Sequence, residues 1–273
     1  MMDQSRDRPP VVLTIAGTDP SGGAGINVDL QVFRDFHSHG VAVITAVVWQ
    51  NTQRIGGWSP VGPAELRGQL DLVAEDFDLA AVKIGMLPTA PQVGEVKRFV
   101  DQLDDGVCVV FDPVMAGGDG KMELTTRGGR HGFDQLVDGI DLITPNGPEA
   151  LALVGDDRES SGDPEELVNA LLERGWERVL LKGGHLGRRE DGEVVDWLGD
   201  HSGVRGLPGW QPVKDDVRGT GCQLSSAIAA LRAHGYGWEK SIHNARNYVR
   251  HLLVDKARRI GRGRPIIVRV DEE

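Results

Sequence analysis

Cys222 directly follows Gly219, Thr220 and Gly221, and it precedes an apolar stripe formed by Leu224, Ala227, Ile228 and Leu231. That spacing predicts a tight glycine turn opening a helix. The first N–H groups of a helix have no partners within it, and the helix dipole favours negative charge at that end. The backbone of residues 219–222 is therefore an anion site that a phosphate can approach closely, because glycine carries no side chain. A thiol at such a terminus is expected to have a lowered pKa. A lone cysteine before an apolar helix also fits a small buried hydrophobe, but the Gly-Thr-Gly context favours phosphoryl transfer. Ser225 and Ser226 read as helix-surface or packing residues and receive no role.

Other segments place chemistry at the ends of apolar runs. "AGTDPSGGAGINVDL" (16–30) lacks the lysine of a phosphate-binding GxxxxGK[ST] loop and the spacing of GxGxxG. It reads either as a flexible wall around a substrate or as an ordinary strand-to-helix turn, with Asp29 one turn inside the helix and open to solvation. Asp112 in "FDPVM" and Asn146 and Glu149 in "TPNGPEA" bring three oxygen-bearing side chains to adjacent strand ends. Such a set suits Mg²⁺ held through water, and Asn146 reads equally well as a helix cap. Lys182 in "LLKGGH" puts a cation where a nucleotide phosphate could lie, although a lysine at a strand end often has only solvent for a partner. The eight histidines show no ligand spacing and are assigned to neither metal nor catalysis.

Those residues need elements to hold them. Apolar runs at 11–17, 41–49, 80–86, 107–115, 140–146 and 178–184 lack polar alternation, as parallel strands covered on both faces do. Helical patterns lie between them. One runs through "GINVDLQVFRDFHSHG", with Ile26, Leu30 and Phe33 on one stripe and Gly40 as its stop; another opens with Asp163 as cap, Pro164 in the first turn and Glu166 completing a capping box, and ends at Gly175. A third covers "WEKSIHNARNYVRHLLVDKARRIG". The alternation predicts a doubly wound parallel sheet with ligands beyond its carboxyl edge. Residues 1–10 read as a tail, 11–273 as one domain, and the glycine-rich 116–132 as a mobile loop that could act as a lid.

The bulk properties narrow the partners. With 273 residues and 40% hydrophobic content, the chain can bury a large core. A net charge of −11 argues against nucleic acid and anionic membrane, and favours a small-molecule substrate. Two cysteines outside any CxxC spacing indicate neither a disulfide framework nor a zinc knuckle. No apolar stretch approaches ~18 residues, and "MMDQSRDRPP" carries no apolar leader core, so a cytoplasmic setting is expected. A symmetric homodimer is the general prior for assembly.

The ordered motifs "LTIAGTDPSGGAGINVDL", "VITAVVWQNT", "VKIGML", "DPVM", "LITPNGPEA", "LLKGGH" and "RGTGCQLSSAIAA" resemble those of the hydroxymethylpyrimidine/phosphomethylpyrimidine kinases of thiamine synthesis, in the ribokinase-like superfamily. The resemblance spans about 11–260. It implies a three-layer α/β/α sandwich with a mostly parallel central sheet. It also implies ATP- and Mg²⁺-dependent phosphorylation of 4-amino-5-hydroxymethyl-2-methylpyrimidine, then of its monophosphate. Carried over by motif, Gly17, Ala24, Asp29 and Gln50 would surround the pyrimidine, with Met86 and Val114 as apolar walls. Asp112 and Glu149 would organise the metal, and Asn146, Lys182 and Thr220 would approach ATP. Gly219, Thr220, Gly221 and Cys222 would form the catalytic turn, the cysteine standing where sugar kinases carry an aspartate base. Arg218 replaces a residue that is often histidine, preceded here by Asp215 and Asp216. The 116–132 loop is atypical, and "PIIVRV" could add an edge strand. A pyridoxal or pyridoxine kinase and a non-catalytic pyrimidine-binding protein are the rival readings.

Overall fold

The computed structural model describes residues 8–117, 120, 122–155, 162–186, 191–212 and 216–270. Residues 1–7 of the expected tail, Asp215, and 118, 119 and 121 of the expected lid lie outside these. The first half of the chain supplies β1 (Val11–Gly17), α1 (Gly25–Asp35), β2 (His39–Gln50), β3 (Ile55–Pro60), α2 (Pro63–Asp76), β4 (Leu79–Ile84), α3 (Ala90–Val100) and β5 (Cys108–Phe111). There follow α4 (Arg127–Gly132), β6 (Leu142–Ile143), α5 (Gly147–Val154), α6 (Pro164–Glu173), β7 (Val179–Leu181), β8 (Trp197–Asp200), β9 (Gly203–Gly206), α7 (Thr220–Ala233), α8 (Trp238–Asp255), β10 (Ala257–Arg258) and β11 (Ile266–Ile267).

Nine strands form one sheet in the order β3-β2-β1-β4-β5-β6-β7-β8-β9. The inner pairs from β2 to β7 are parallel, and antiparallel β3, β8 and β9 finish the edges. The strands are buried on both faces because alternate residues feed two cores. Leu13, Ile15, Val82, Ile84, Val109 and Phe111 pack with α2, α3, α5 and α6 on one side. Val12, Ala81, Cys108 and Val110 pack with α1, α7 and α8 on the other. The same alternation turns Thr14 and Lys83 toward α1 and α7, and both are completely buried.

Helix boundaries depart from the sequence pattern in instructive ways. α1 buries Val28, Asp29, Val32 and Phe33 rather than a stripe through Ile26 and Leu30. It stops at Asp35, followed by His37 in a positive-φ conformation (φ 54°), while Gly40 lies within β2. Asp163 caps α6 as expected, accepting from the N–H groups of Glu165 and Glu166, and Gly175 (φ 99°) follows its end. The capping box belongs instead to Asn146 and Glu149 at α5. α8 ends at Asp255, and the chain turns into a separate two-stranded β10-β11 pair, so "PIIVRV" adds no strand to the main sheet. Within the described part of the expected loop, Ala116 bridges Glu123, Leu124 is buried, and Thr126 caps α4 through the Gly129 N–H.

Candidate active site

A cavity of about 320 Å³ opens along the carboxyl ends of β1, β2, β4, β5 and β7 and the N-terminus of α7. Gly17, Ala24, Gln50, Met86, Val114, Asp112, Asn146, Glu149, Lys182 and all of 219–222 line it. Among the sequence-derived candidates, only Asp29 lies elsewhere.

The turn before α7 needs its glycines for packing as well as for access. Gly219 caps the helix in the left-handed region (φ 75°), and a Cβ there would meet the Gly23 carbonyl oxygen at 1.9 Å. The 219–222 turn is thus laid directly on the first glycine loop, which is itself pinched where Gly25 (φ 58°) passes the Gly17 carbonyl. At Gly221 a Cβ would lie 3.1 Å from Lys182 Nζ and 3.5 Å from Asp112 Oδ2, so the turn faces the charged cluster across a gap narrower than a side chain.

That cluster is built by three strand ends. Lys182 Nζ donates to Asp112 Oδ1 at 2.7 Å and lies 3.6 Å from Glu149 Oε2. The Thr144 hydroxyl donates to Asp112 Oδ1 at 3.2 Å. The Asn146 N–H donates to Glu149 Oε2 at 2.7 Å, and Asn146 Oδ1 accepts from the Glu149 N–H at 2.9 Å, so Asn146 is a helix cap that also faces the cavity. Burial disfavours the charge on Lys182, but the carboxylates of Asp112 and Glu149 outweigh it and hold its pKa above the usual range. Burial raises the Glu149 pKa, with Lys182 opposing and Asp112 reinforcing the shift. Two nearly buried carboxylates that both line the cavity are the hard oxygen donors that suit Mg²⁺. Among the described residues there is no three-ligand protein cage.

One wall of the cavity is apolar: Val48, Met86, Leu124, Val114 and Ile55 pack together. Met86 is fixed from behind, its carbonyl accepting from Thr45 Oγ1 at 2.6 Å, while Gln92 Nε2 donates to the Thr45 carbonyl at 2.7 Å. Gln50 supplies the polar edge of this pocket and is held by Arg218 and by the Thr18 carbonyl. At the opposite end, Trp210, Val217, Val249 and Leu253 give a second apolar surface.

The readings of Asp29 and Cys222 require correction, while Ser225 and Ser226 fall on the packing side of theirs. Asp29 is neither solvated nor in the cavity wall; it is completely buried, accepting from Thr14 Oγ1 at 2.6 Å, Ser226 Oγ at 2.8 Å and Lys83 Nζ at 2.8 Å. Ser225 and Ser226 are interior residues, and Ser225 Oγ lies 3.5 Å from Asp112 Oδ2. The Cys222 thiol is pushed up, not down: burial raises its pKa to about 11, although the Lys83 ammonium pulls the other way. The sequence pattern also missed Lys83, which lines the cavity floor as a completely buried ammonium paired with Asp29. A lysine inside the apolar run "AAVKIGM", where only a paired charge is tolerated, was the available signal.

The phosphomethylpyrimidine kinase family model matches residues 19–267. The chain belongs to that family. The hydroxymethylpyrimidine/phosphomethylpyrimidine kinase of Salmonella typhimurium is 38% identical over 244 residues, covering 88% of this chain and 90% of its own length. The crystal structure of phosphomethylpyrimidine kinase from Clostridium difficile 630 superimposes with a TM-score of 0.74 at 32% identity, over 89% of this chain and 98% of that one. An ADP complex of Bacillus subtilis pyridoxal kinase gives a TM-score of 0.81 at 26% identity, over 95% and 96%. As a family member, the chain is a phosphotransferase of the ribokinase-like α/β/α type, and among the described residues no helix is long and apolar enough to cross a membrane.

Proposed function

We propose that the protein phosphorylates the hydroxymethyl group of 4-amino-5-hydroxymethyl-2-methylpyrimidine with ATP and then phosphorylates the resulting monophosphate, supplying the pyrophosphate used to assemble thiamine. The observation that carries this reading is the single cavity joining the Gln50 pocket to the 219–222 turn, with Lys182 and Asp112 on the far side of that turn.

In this reading the pyrimidine lies between Met86 and Val114 with an edge on Gln50, beside Gly17 and Ala24. The γ-phosphate rests on the amides of Gly219, Thr220, Gly221 and Cys222, near Lys182 and Asn146, with the nucleotide base toward Trp210 and Leu253. Asp112 and Glu149 would hold Mg²⁺, which when bound neutralises charge on the β- and γ-phosphates. Transfer passes through a loose transition state, so alignment by the pocket and the fixed amides does most of the work. The acceptor hydroxyl loses its proton late. Cys222 takes that proton only as the minor thiolate form, stabilised by Lys83 beneath it, because burial keeps the thiol protonated near neutral pH. The monophosphate acceptor is already an anion and has no need of that step.

A coupled assay of ADP release with the pyrimidine alcohol, ATP and Mg²⁺, repeated with the monophosphate, tests the reading. Release with neither acceptor refutes it. The likeness to a pyridoxal kinase favours pyridoxine as a second candidate, resolved by competing the two alcohols. A non-catalytic pyrimidine binder would not need the clustered carboxylates and lysine. A cytoplasmic setting and a homodimer belong to the same proposal; exposed Val47 and Trp49 on β2 support the dimer, which sedimentation velocity would detect.

A further inference from the structure

Arg218 holds the Gln50 amide in one orientation. Its side chain is 9% exposed. Nη2 donates to Gln50 Oε1 at 2.5 Å and reaches Asp19 Oδ2 at 3.5 Å, while Nη1 donates to the Asn51 carbonyl at 2.8 Å. Its backbone N–H donates to the Pro265 carbonyl at 3.0 Å, so the segment leading into β11 fixes the arginine from behind. Its Nε is buried with no partner among the described residues, so the side chain is held by its two head nitrogens alone. Gln50 Nε2 donates to the Thr18 carbonyl at 3.3 Å. Flipping the amide would set its NH₂ against the guanidinium and its oxygen against the Thr18 carbonyl, both repulsive.

What Gln50 offers the cavity is therefore decided before any ligand arrives. One N–H of Nε2 remains free to donate, and the cation at Oε1 polarises the amide, strengthening that donor and weakening the oxygen as an acceptor. Asp19 and Asn51 share the same guanidinium, so it cannot turn away without leaving the buried Asp19 carboxylate without its cation. A ring with an unprotonated nitrogen matches this surface. A pyridinium ring, which carries a proton and positive charge on that nitrogen, meets a donor backed by a cation.

We propose that Arg218 is a positioning residue that sets substrate specificity: by locking Gln50 it makes the pocket prefer a neutral aminopyrimidine over a vitamin ring protonated at nitrogen. This rests on the proposed function, in which Gln50 reads the ring edge. The test measures kcat and KM for the pyrimidine alcohol and for pyridoxine in the wild type, Arg218→Met and Arg218→Lys, with thermal melts to establish folding. In Arg218→Met, KM for the pyrimidine should rise about tenfold with kcat within about threefold, and the pyrimidine-to-pyridoxine ratio of kcat/KM should fall about tenfold, the scale of one charge-assisted hydrogen bond. Arg218→Lys keeps a cation beside Asp19 but has no fork to span Gln50 and Asn51, and it should show a smaller fall in the same ratio. If Arg218→Met does not fold, Arg218→Lys decides. A ratio within about twofold of wild type in the folded variants overturns the proposal while leaving the function intact. A wild type that phosphorylates neither alcohol overturns the function, and this proposal with it.

Discussion

Cys222 shows how enclosure can reverse an expectation drawn from a helix terminus. The thiol sits above the buried Lys83–Asp29 pair, and loss of solvent outweighs the attraction of the ammonium. Because its pKa stands near 11, the thiolate is the minor form at neutral pH, and its fraction grows about tenfold for each unit that the pH rises toward that value. If the thiolate accepts the hydroxymethyl proton, kcat/KM for the first phosphorylation should climb with pH through the neutral and mildly alkaline range, whereas the second should stay flat. Cys222→Ala should lower the first rate ~10²-fold or more and the second far less; equal losses would assign the cysteine to packing. Lys83 is open to an independent test. Replacing it with Met leaves Asp29 charged and uncompensated among Thr14 and Ser226, which should destabilise the protein by about 3–5 kcal/mol. The Lys83→Met/Asp29→Asn double variant should recover much of the lost melting temperature, and no recovery would mean the pair is not coupled.

At the level of elements, the turn opening α7 and the loop opening α1 are a single packed unit. Gly219 touches Gly23 and approaches Ala24, so the proposed anion site and the proposed pyrimidine wall share backbone contacts. Gly219→Ala combines a left-handed conformation unfavourable for alanine with a 1.9 Å encounter with the Gly23 carbonyl, and one loop must move. Turnover in both phosphorylations should drop ~10²-fold or more because the amides lose their aim. A variant with ordinary rates in steady-state assays would separate the turn from catalysis. Asn146 and Glu149 follow the same economy: their reciprocal capping starts α5 and simultaneously presents Glu149 to Lys182.

Across the whole molecule, the chain end is tied to the face that carries the site. Arg269 donates to Asp35 at the end of α1, to Gln31 within α1, to Gln223 in α7 and to Tyr248 in α8. Further back, Arg264 pairs with Asp216 and lines the cavity, and its N–H donates to the Thr52 carbonyl. These bonds join α1, α7 and α8 around the cavity floor. Arg269→Ala should destabilise the fold by about 1 kcal/mol, since Asp35 keeps some access to water. A melting temperature about 2–4 °C lower is expected, and an unchanged melt would show the network to be dispensable.

The parallel strands were legible in the sequence because doubly covered strands must be continuously apolar, and the tight turn opening α7 because few uses other than close approach explain Gly-Thr-Gly before a helix. Asp112, Asn146 and Lys182 were legible because each stands at or just past the end of such a strand, and Glu149 because it lies in the first turn of the helix that follows. The short antiparallel edges β3, β8 and β9 left no comparable pattern. Asp29, Lys83, Ser226 and Arg218 acquired their roles only in three dimensions. Their partners lie 15 to 199 residues away in the chain, and the charge and hydrogen-bonding state of a buried group depend on which distant atoms enclose it. Local spacing encodes strands, turns and the atoms they can offer; burial and pairing, which decide what those atoms do, arise only when the sheet brings its strand ends together.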